Sequence, residues 1–269
     1  MEMHGIDRIF EIEGFFTAFR FDWNSDFYFS GERHEMWEVV FLSSGRVEVV
    51  EDEKIYTLAP GDMILHAPME FHRIRSFGGT SPSGYIISFT ARGELPAVLK
   101  ESLFHLHSEG ATRYGEICKK IISFVNCEGK ENLYAGQEAA AALSAFLIGL
   151  GQNRKVENPT RTDPSADAYR RLVSCMRENV MQNLPLTEIA SLCYVSVSYL
   201  KLLFRKYAGA SPKEYYSNLR LTEAILLIKE GLSTTEIAER MKFSSPNYFC
   251  SFFKKRTGIT PSEYRRSLS

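Results

Sequence analysis

Two short basic clusters, Arg205-Lys206 and Lys254-Lys255-Arg256, close two similar stretches near the carboxyl end of a 269-residue chain. Ammonium and guanidinium groups gathered this way can pair with phosphate, or interact with the carbonyl end of a helix. From Asp167 onward there are 16 Lys+Arg against 9 Asp+Glu, an excess of +7. The residues before it carry 16 against 24, or −8, so a whole-chain charge of −1 conceals an acidic front and a basic back. A surplus confined to the back points to a polyanion met by that half alone. The thiols point away from other chemistry. Five cysteines (Cys118, Cys127, Cys175, Cys193, Cys250), odd in number and without a Cys-x-x-Cys pair, argue against a disulfide framework or a zinc site and for a reducing compartment.

The basic clusters belong to an internal repeat, and the repeat defines the elements that must position them. Ile189-Ala190 recurs as Ile237-Ala238, 48 residues on, and Tyr199, Phe204, Gly209, Pro212 and Tyr215 recur as Tyr248, Phe253, Gly258, Pro261 and Tyr264, 49 residues on. Each copy reads as a short helix, a tight turn and a second helix. The first helix is expected to start at a Thr cap, Thr187 before Glu188 or Thr234-Thr235 before Glu236. It buries Ile-Ala and a further apolar residue, Leu192 or Met241. The turn ends in Ser196, or in Ser244-Ser245. The second helix turns Leu200, Leu203 and Phe204, or Phe249, Phe252 and Phe253, inward and stops at Gly209 or Gly258. A small Ala after Ile lets the helices cross closely, which is helix-turn-helix geometry. One copy is a weak signal. Two copies, each closed by Gly-x-x-Pro-x-x-Tyr and joined by an amphipathic helix over Pro212 to Lys229, are a strong one.

The stretch from about 169 to 266 resembles the DNA-binding domain of AraC/XylS-type regulators. The resemblance rests on Ser196-x-x-Tyr199-Leu200-x-x-x-Phe204, Arg220-Leu221-x-x-Ala224 and Ile237-Ala238. It continues through Phe243, Tyr248-Phe249-x-x-x-Phe253-Lys254 and Gly258-Ile259-Thr260-Pro261-x-x-Tyr264-Arg265. Two positions depart from the family pattern: Lys242 stands where a Gly precedes the aromatic of the second turn, and Ser245 where an Asp follows it. The first position favours a left-handed backbone, so Lys242 strains or reshapes that turn. The resemblance implies that the second helix of each unit enters one of two successive major-groove segments. Its outward residues would be Val197, Ser198, Lys201, Leu202 and Arg205 in the first unit, and Ser245, Pro246, Asn247, Cys250, Ser251 and Lys254 in the second. Lys201 can hydrogen-bond guanine, and Asn247 can pair with adenine through two bonds. Arg205, Lys254 and Lys255, late in their helices, either touch phosphates or cap helix ends.

The front half has other periods. Between about 10 and 90 short runs such as Val39-Val40-Phe41-Leu42, Val47-Glu48-Val49-Val50, Ile55-Tyr56-Thr57-Leu58 and Tyr85-Ile86-Ile87-Ser88-Phe89 alternate with turn signals, suggesting a small barrel or sandwich. Ile117, Ile121, Ile122 and Val125, then Leu143, Phe146, Leu147 and Leu150, mark two helices, the second apolar on several faces and in need of a cover. The stretch Glu32 to His72 resembles a cupin-type barrel: Glu38, six residues and Gly45 match one motif, and Pro60-Gly61-Asp62 with His72 partly match another. On that resemblance Glu32, His34, Glu38 and His72 either chelate a divalent ion or line an effector pocket without metal, the reading adopted here, with Trp37 and Trp23 as aromatic walls. No cofactor and no metal are expected.

The resulting expectation is an α+β chain of two domains. Residues 1–151 form a cupin-like effector-binding and dimerisation domain, 152–168 a linker and 169–269 an all-α domain with two helix-turn-helix units. Its partners would be double-stranded promoter DNA, a small-molecule effector of which a sugar is one class, a second copy of the chain and RNA polymerase, in an activating role. A mixed-charge start at Met1 to Arg8, and a longest apolar run (Ala139 to Leu150) short of the roughly 20 residues that span a bilayer, fit a cytoplasmic protein. A metal-dependent cupin enzyme with a helical appendage and a pure protein-interaction module are the alternatives.

Overall fold

The computed structural model describes residues 10–93, 99, 103–127, 133–152 and 164–267. They fall into two units, Met1–Arg161 and Thr162–Ser269.

The first unit carries β1 (Phe10–Asp22), β2 (Trp37–Ser44), β3 (Val47–Glu51), β4 (Lys54–Leu58), β5 (Asp62–His66), β6 (His72–Ser76), β7 (Ser83–Gly93) and β8 (Leu103–His105). Two helices follow, α1 (Ser108–Asn126) and α2 (Leu133–Gln152). A five-stranded sheet runs β1-β7-β2-β5-β8 and a three-stranded sheet runs β4-β3-β6, all pairings antiparallel. The turns anticipated from Ser43-Ser44-Gly45 and Glu51-Asp52-Glu53 are made by residues at positive φ, Gly45 (73°) and Asp52 (45°). A side chain at Gly45 would put its Cβ 2.6 Å from Pro82 Cα.

The larger sheet is buried on both faces, which is why β2 reads as a continuous apolar run rather than an alternation. Val40, Leu42, Ile64 and Ile86 face the small sheet across a core shared with Val47, Val49, Tyr56, Leu58 and Ile74. Val39, Phe41, Leu65, Ile87 and Phe89 face α1 and α2 and pack on Tyr114, Ile117, Ile121, Leu143, Phe146 and Leu147. The helices expected from the apolar spacing are present. α2 keeps one stripe open: Tyr134 (85% exposed), Ala141, Ala145 and Ile148.

The second unit is all helical: α3 (Pro164–Glu178), α4 (Leu186–Leu192), α5 (Val197–Tyr207), α6 (Pro212–Lys229), α7 (Thr234–Arg240), α8 (Pro246–Thr257) and α9 (Pro261–Ser267). α3 opens at Pro164, inside the stretch expected to be linker. Proline suits that place because the first helical N–H has no partner to lose. α2 also reaches into that stretch, to Gln152, and its remainder, 153–163, lies outside the described residues. Among the described residues no single helix is long and apolar enough to cross a membrane.

Candidate functional site

Each repeat folds into the expected helical pair. Ile189-Ala190 and Ile237-Ala238 are buried in α4 and α7. α4 meets α5 at 93°, within the range of helix-turn-helix motifs. Both turns are Schellman motifs. In the first, Val195 N donates to Ala190 O (3.0 Å) and Tyr194 N to Ser191 O (3.1 Å). In the second, Phe243 N donates to Ala238 O (2.8 Å) and Lys242 N to Glu239 O (3.1 Å). The motif requires a left-handed residue, and Tyr194 and Lys242 supply it with φ of 56° each. Lys242 therefore strains the turn without reshaping it, at a cost of roughly 1–2 kcal/mol. Both side chains stand in solvent, Tyr194 at 96% exposure.

The helix starts correct two expectations. α7 is capped by Ser233, not Thr234: Ser233 Oγ accepts from Glu236 N while Glu236 accepts from Ser233 N, a complete capping box. α4 is preceded by Pro185, which has no side-chain acceptor, and Thr187 lies inside the helix. The third apolar residue of the first unit is Cys193, which is buried, rather than Leu192, which is 52% exposed. Cys193 and Met241 are both the C-caps of their helices.

α5 and α8 start alike. Ser196 Oγ accepts from Tyr199 N and Ser245 Oγ from Tyr248 N, each at 3.1 Å. Behind each helix the closing Tyr meets the last core Phe edge to face, Phe204–Tyr215 at 5.1 Å and Phe253–Tyr264 at 5.6 Å. With the inner faces so fixed, the opposite faces point out. Ser198, Lys201, Leu202 and Arg205 on α5, and Pro246, Asn247, Ser251 and Lys254 on α8, are exposed. Val197 and Cys250 are half-buried, and Ser245 is half-buried with its hydroxyl engaged as the cap. Leu202 is 58% exposed, an apolar side chain in an otherwise polar row.

One residue that sequence reasoning treated only as a motif letter ties the second helix-turn-helix to the segment after α3. Arg220 of α6 is buried, donates through Nη1 to Val180 O and through Nη2 to Met241 O (2.6 Å each), and lies 4.6 Å from the Phe243 ring centroid. It fastens the cap of α7 to the segment after α3. An Arg within the apolar face of α6 was the available signal, since a buried cation needs partners.

In the first unit the structure brings Glu32, His34, Glu38 and His72 together, with ligand-type atoms all within 4.8 Å of one another. Glu32 and His72 pair backbone to backbone. His34 Nε2 lies 3.6 Å from Glu38 Oε2, and His72 Nε2 lies 3.4 Å from Glu38 Oε1 and 3.9 Å from Glu32 Oε1. Burial alone would push the Glu38 carboxyl above its usual range, but the imidazoles of His34 and His72 outweigh it and hold the group well below that range. Burial likewise opposes protonation of His34, yet Glu38 raises it.

Trp37 is not part of this group. Neighbouring residues of a strand face opposite ways, so Trp37 sides with Val39 and Phe41 against the helices while Glu38 faces the small sheet. Trp23 does lie on the Glu38 side, but it is stacked between Phe21 and Phe27 at 3.8 Å each, leaving neither face open. Sequence reasoning missed a second group, Glu51, His66 and Glu70. His66 Nδ1 is 3.0 Å from Glu51 Oε1 and the ring lies flat on His72 at 4.3 Å. Burial and then the His72 charge push His66 down to about 3, and burial with Glu51 pushes Glu70 up to about 7.

Two helix-turn-helix units on one bridging helix define a DNA-binding domain of the tandem class. Residues 189–267 match a family model described as a helix-turn-helix domain. The HTH-type transcriptional activator RhaR of Mannheimia succiniciproducens is 23% identical over 239 residues, 87% of this chain and 86% of that protein. The Msm operon regulatory protein of Streptococcus mutans is 25% identical over 85% of this chain and 83% of its own. A solved transcriptional regulator of the AraC-type DNA-binding domain-containing proteins, from Chromobacterium violaceum, is 33% identical over 39% of this chain and 95% of that one, with a TM-score of 0.37. Residues 189–267 carry a helix-turn-helix domain, and over most of its length the chain is similar to DNA-binding transcription regulators of this kind.

Proposed function

We propose that this regulator lays α5 and α8 into two successive major-groove segments of promoter DNA. Ser198, Lys201, Leu202 and Arg205 would meet the first segment, and Pro246, Asn247, Ser251 and Lys254 the second. The observation that carries the reading is the matched pair of turns at Tyr194 and Lys242, which leaves the same face of each second helix free. Val197 and Ser245 contribute from helix starts, Ser245 with a hydroxyl that accepts from Tyr248 N and still has its proton to donate. Residues 1–151 are read as a cupin-like domain that takes the effector and pairs two copies of the chain. The exposed row of α2, with Ala141, Ala145 and Ile148 beyond the polar Gln137 and Glu138, supports that pairing. An activating role is the reading that one relative, named a transcriptional activator, supports; contact with RNA polymerase and a cytoplasmic setting belong to the same proposal. A sugar effector would rest on polar groups, since Trp37 and Trp23 offer it no platform.

The test is titration of the purified chain with the DNA upstream of its own coding region, across salt. Six to ten phosphate contacts imply an affinity loss of about 10³–10⁵ between 50 and 200 mM salt. Lys201→Ala and Asn247→Ala should each weaken binding by about 1–3 kcal/mol and relax the choice of base at one position. Salt-independent binding, or substitutions without effect, would sink the reading. A second reading, a metal-dependent enzyme, draws on the Glu32, His34, Glu38 and His72 group alone and gives the tandem helix-turn-helix no task. It requires turnover that His72→Ala abolishes.

A further inference from the structure

We infer that a cleft within the helical unit is a site for a small phosphate monoester carrying a flat ring, and that its occupant competes with DNA. The site stands on the side chains that line it; the competition rests on the DNA reading above.

The cleft holds about 740 Å³, within the roughly 300–1,000 Å³ range of small-molecule sites. It lies between the segment ahead of α4, the first turns of α6 and one side of α8. Lys213, Arg220, Lys255 and Arg256 line it against a single carboxylate, Glu214, an excess of three positive charges. Arg220 is committed to its two carbonyls. The other three cations have donors to give. Lys213 and Lys255 are exposed and, among the described residues, make no ion pair or hydrogen bond. Arg256 reaches Glu214 only at 3.6 Å, and its buried Nε–H has no acceptor. A buried donor without a partner costs free energy until an acceptor arrives. The Arg256 guanidinium lies over the Phe252 ring, 4.5 Å from the centroid, which steadies it while its N–H edge remains available to an anion.

A phosphate monoester matches this set. It carries a charge of about −1.5 to −2 at neutral pH and three strong acceptor oxygens, one for each uncommitted cation. A carboxylate brings less charge and only two oxygens. The flat ring follows from the remaining wall, where Tyr248 and Phe252 line the cleft beside Phe243. Phe243 and Phe252 each carry a guanidinium. Tyr248 carries none and is 56% exposed, so it is the ring on which a planar group can stack. A DNA phosphodiester running past would use the exposed lysines and leave this wall unfilled. Ser251 belongs both to the cleft and to the outward row assigned to the second DNA segment. An anion seated beside it repels the phosphates of incoming DNA and occupies cations they would otherwise pair with.

The full chain, titrated by calorimetry with AMP and with phenyl phosphate, should bind one molecule of each. Adenosine, lacking the phosphate, should bind more weakly than AMP by about tenfold or more. The double variant Lys213→Ala/Lys255→Ala should weaken AMP to a similar degree, with circular dichroism reporting that it folds. Tyr248→Ala should weaken AMP by about tenfold and leave inorganic phosphate unchanged. Lys229→Ala, at the other end of α6, should change nothing. No uptake of either probe, or uptake that the double lysine variant leaves intact, overturns the site. Lysine substitutions that lower only the salt dependence of DNA binding, without AMP uptake, overturn it too and make the cleft a clamp on the DNA backbone. At constant ionic strength, saturating AMP should weaken affinity for the upstream DNA about 5–150-fold. Equal affinities overturn the competition. A chain that binds AMP but no DNA strikes the regulator reading instead, since AMP uptake is measured without DNA.

Discussion

The two helix-turn-helix units share a frame and differ in how it is held. Both bury Ile-Ala, both turn through a left-handed residue that is not glycine, and both brace the second helix with an edge-to-face Phe–Tyr pair. The second unit adds a capping box at Ser233 and Glu236 and the Arg220 clamp on its turn. The first has Pro185 without a side-chain cap, and Cys193 where the second has Met241. Their outer rows differ more: Lys201, Leu202 and Arg205 against Pro246, Asn247 and Ser251. The frame is therefore the conserved demand of the geometry within one chain, while the caps and outward side chains vary freely around it.

The sharpest way to break the equivalence is to remove the buried Ile of each unit. Ile189→Ala and Ile237→Ala should each cost about 3 kcal/mol of local stability, read from amide hydrogen exchange of the flanking helices. A cost in one unit only would mean the repeat is one of sequence, not of packing. Arg220→Ala comes next. It strands the buried Met241 carbonyl and the part-buried Val180 carbonyl and should cost about 2–3 kcal/mol, lost from the α7–α8 amides more than from α4–α5. Uniform loss would refute a clamp specific to the second turn. Ser233→Ala should cost about 1 kcal/mol, whereas Pro185→Ala, with no cap to lose, should leave the start of α4 within a few tenths. The smallest effect has the opposite sign. Tyr194→Gly and Lys242→Gly should each stabilise by about 0.5–1 kcal/mol, the relief of a left-handed backbone less the freedom glycine gains when unfolded. A loss at either position, by thermal unfolding, would show that the side chain contributes something the turn geometry does not reveal.

Legibility differed between the two units for a physical reason. The DNA-binding half is built from contacts between residues a few turns apart, so spacing alone placed Leu200, Leu203 and Phe204 inside and Lys201 and Arg205 outside. Its errors were local: a cap read at Thr234 rather than Ser233, one residue earlier, and Leu192 read as core where the helix bends away and Cys193 takes the place. In the front half, β1 runs 13 residues without an uninterrupted apolar run of the kind that marks β2, because many of its side chains stand in solvent. Trp37 was expected beside Glu38, against the alternation of a strand that by itself separates them. The Glu51, His66 and Glu70 group has no spacing that announces it, since its members come from two strands and the loop after the second.

What composition, periodicity and the 48–49-residue repeat determined was the tandem helix-turn-helix, the polarity of charge along the chain and the strand-then-helix order of the front. These depend on neighbours in the chain, where side-chain direction follows from helix or strand period. Only the tertiary structure decided that Arg220 clamps the second turn, that Trp23 is sandwiched, and that two imidazoles 38 residues apart in sequence meet at one carboxylate. Such juxtapositions follow from sheet pairing and register, which bring distant segments together by hydrogen bonds that no short stretch of sequence encodes.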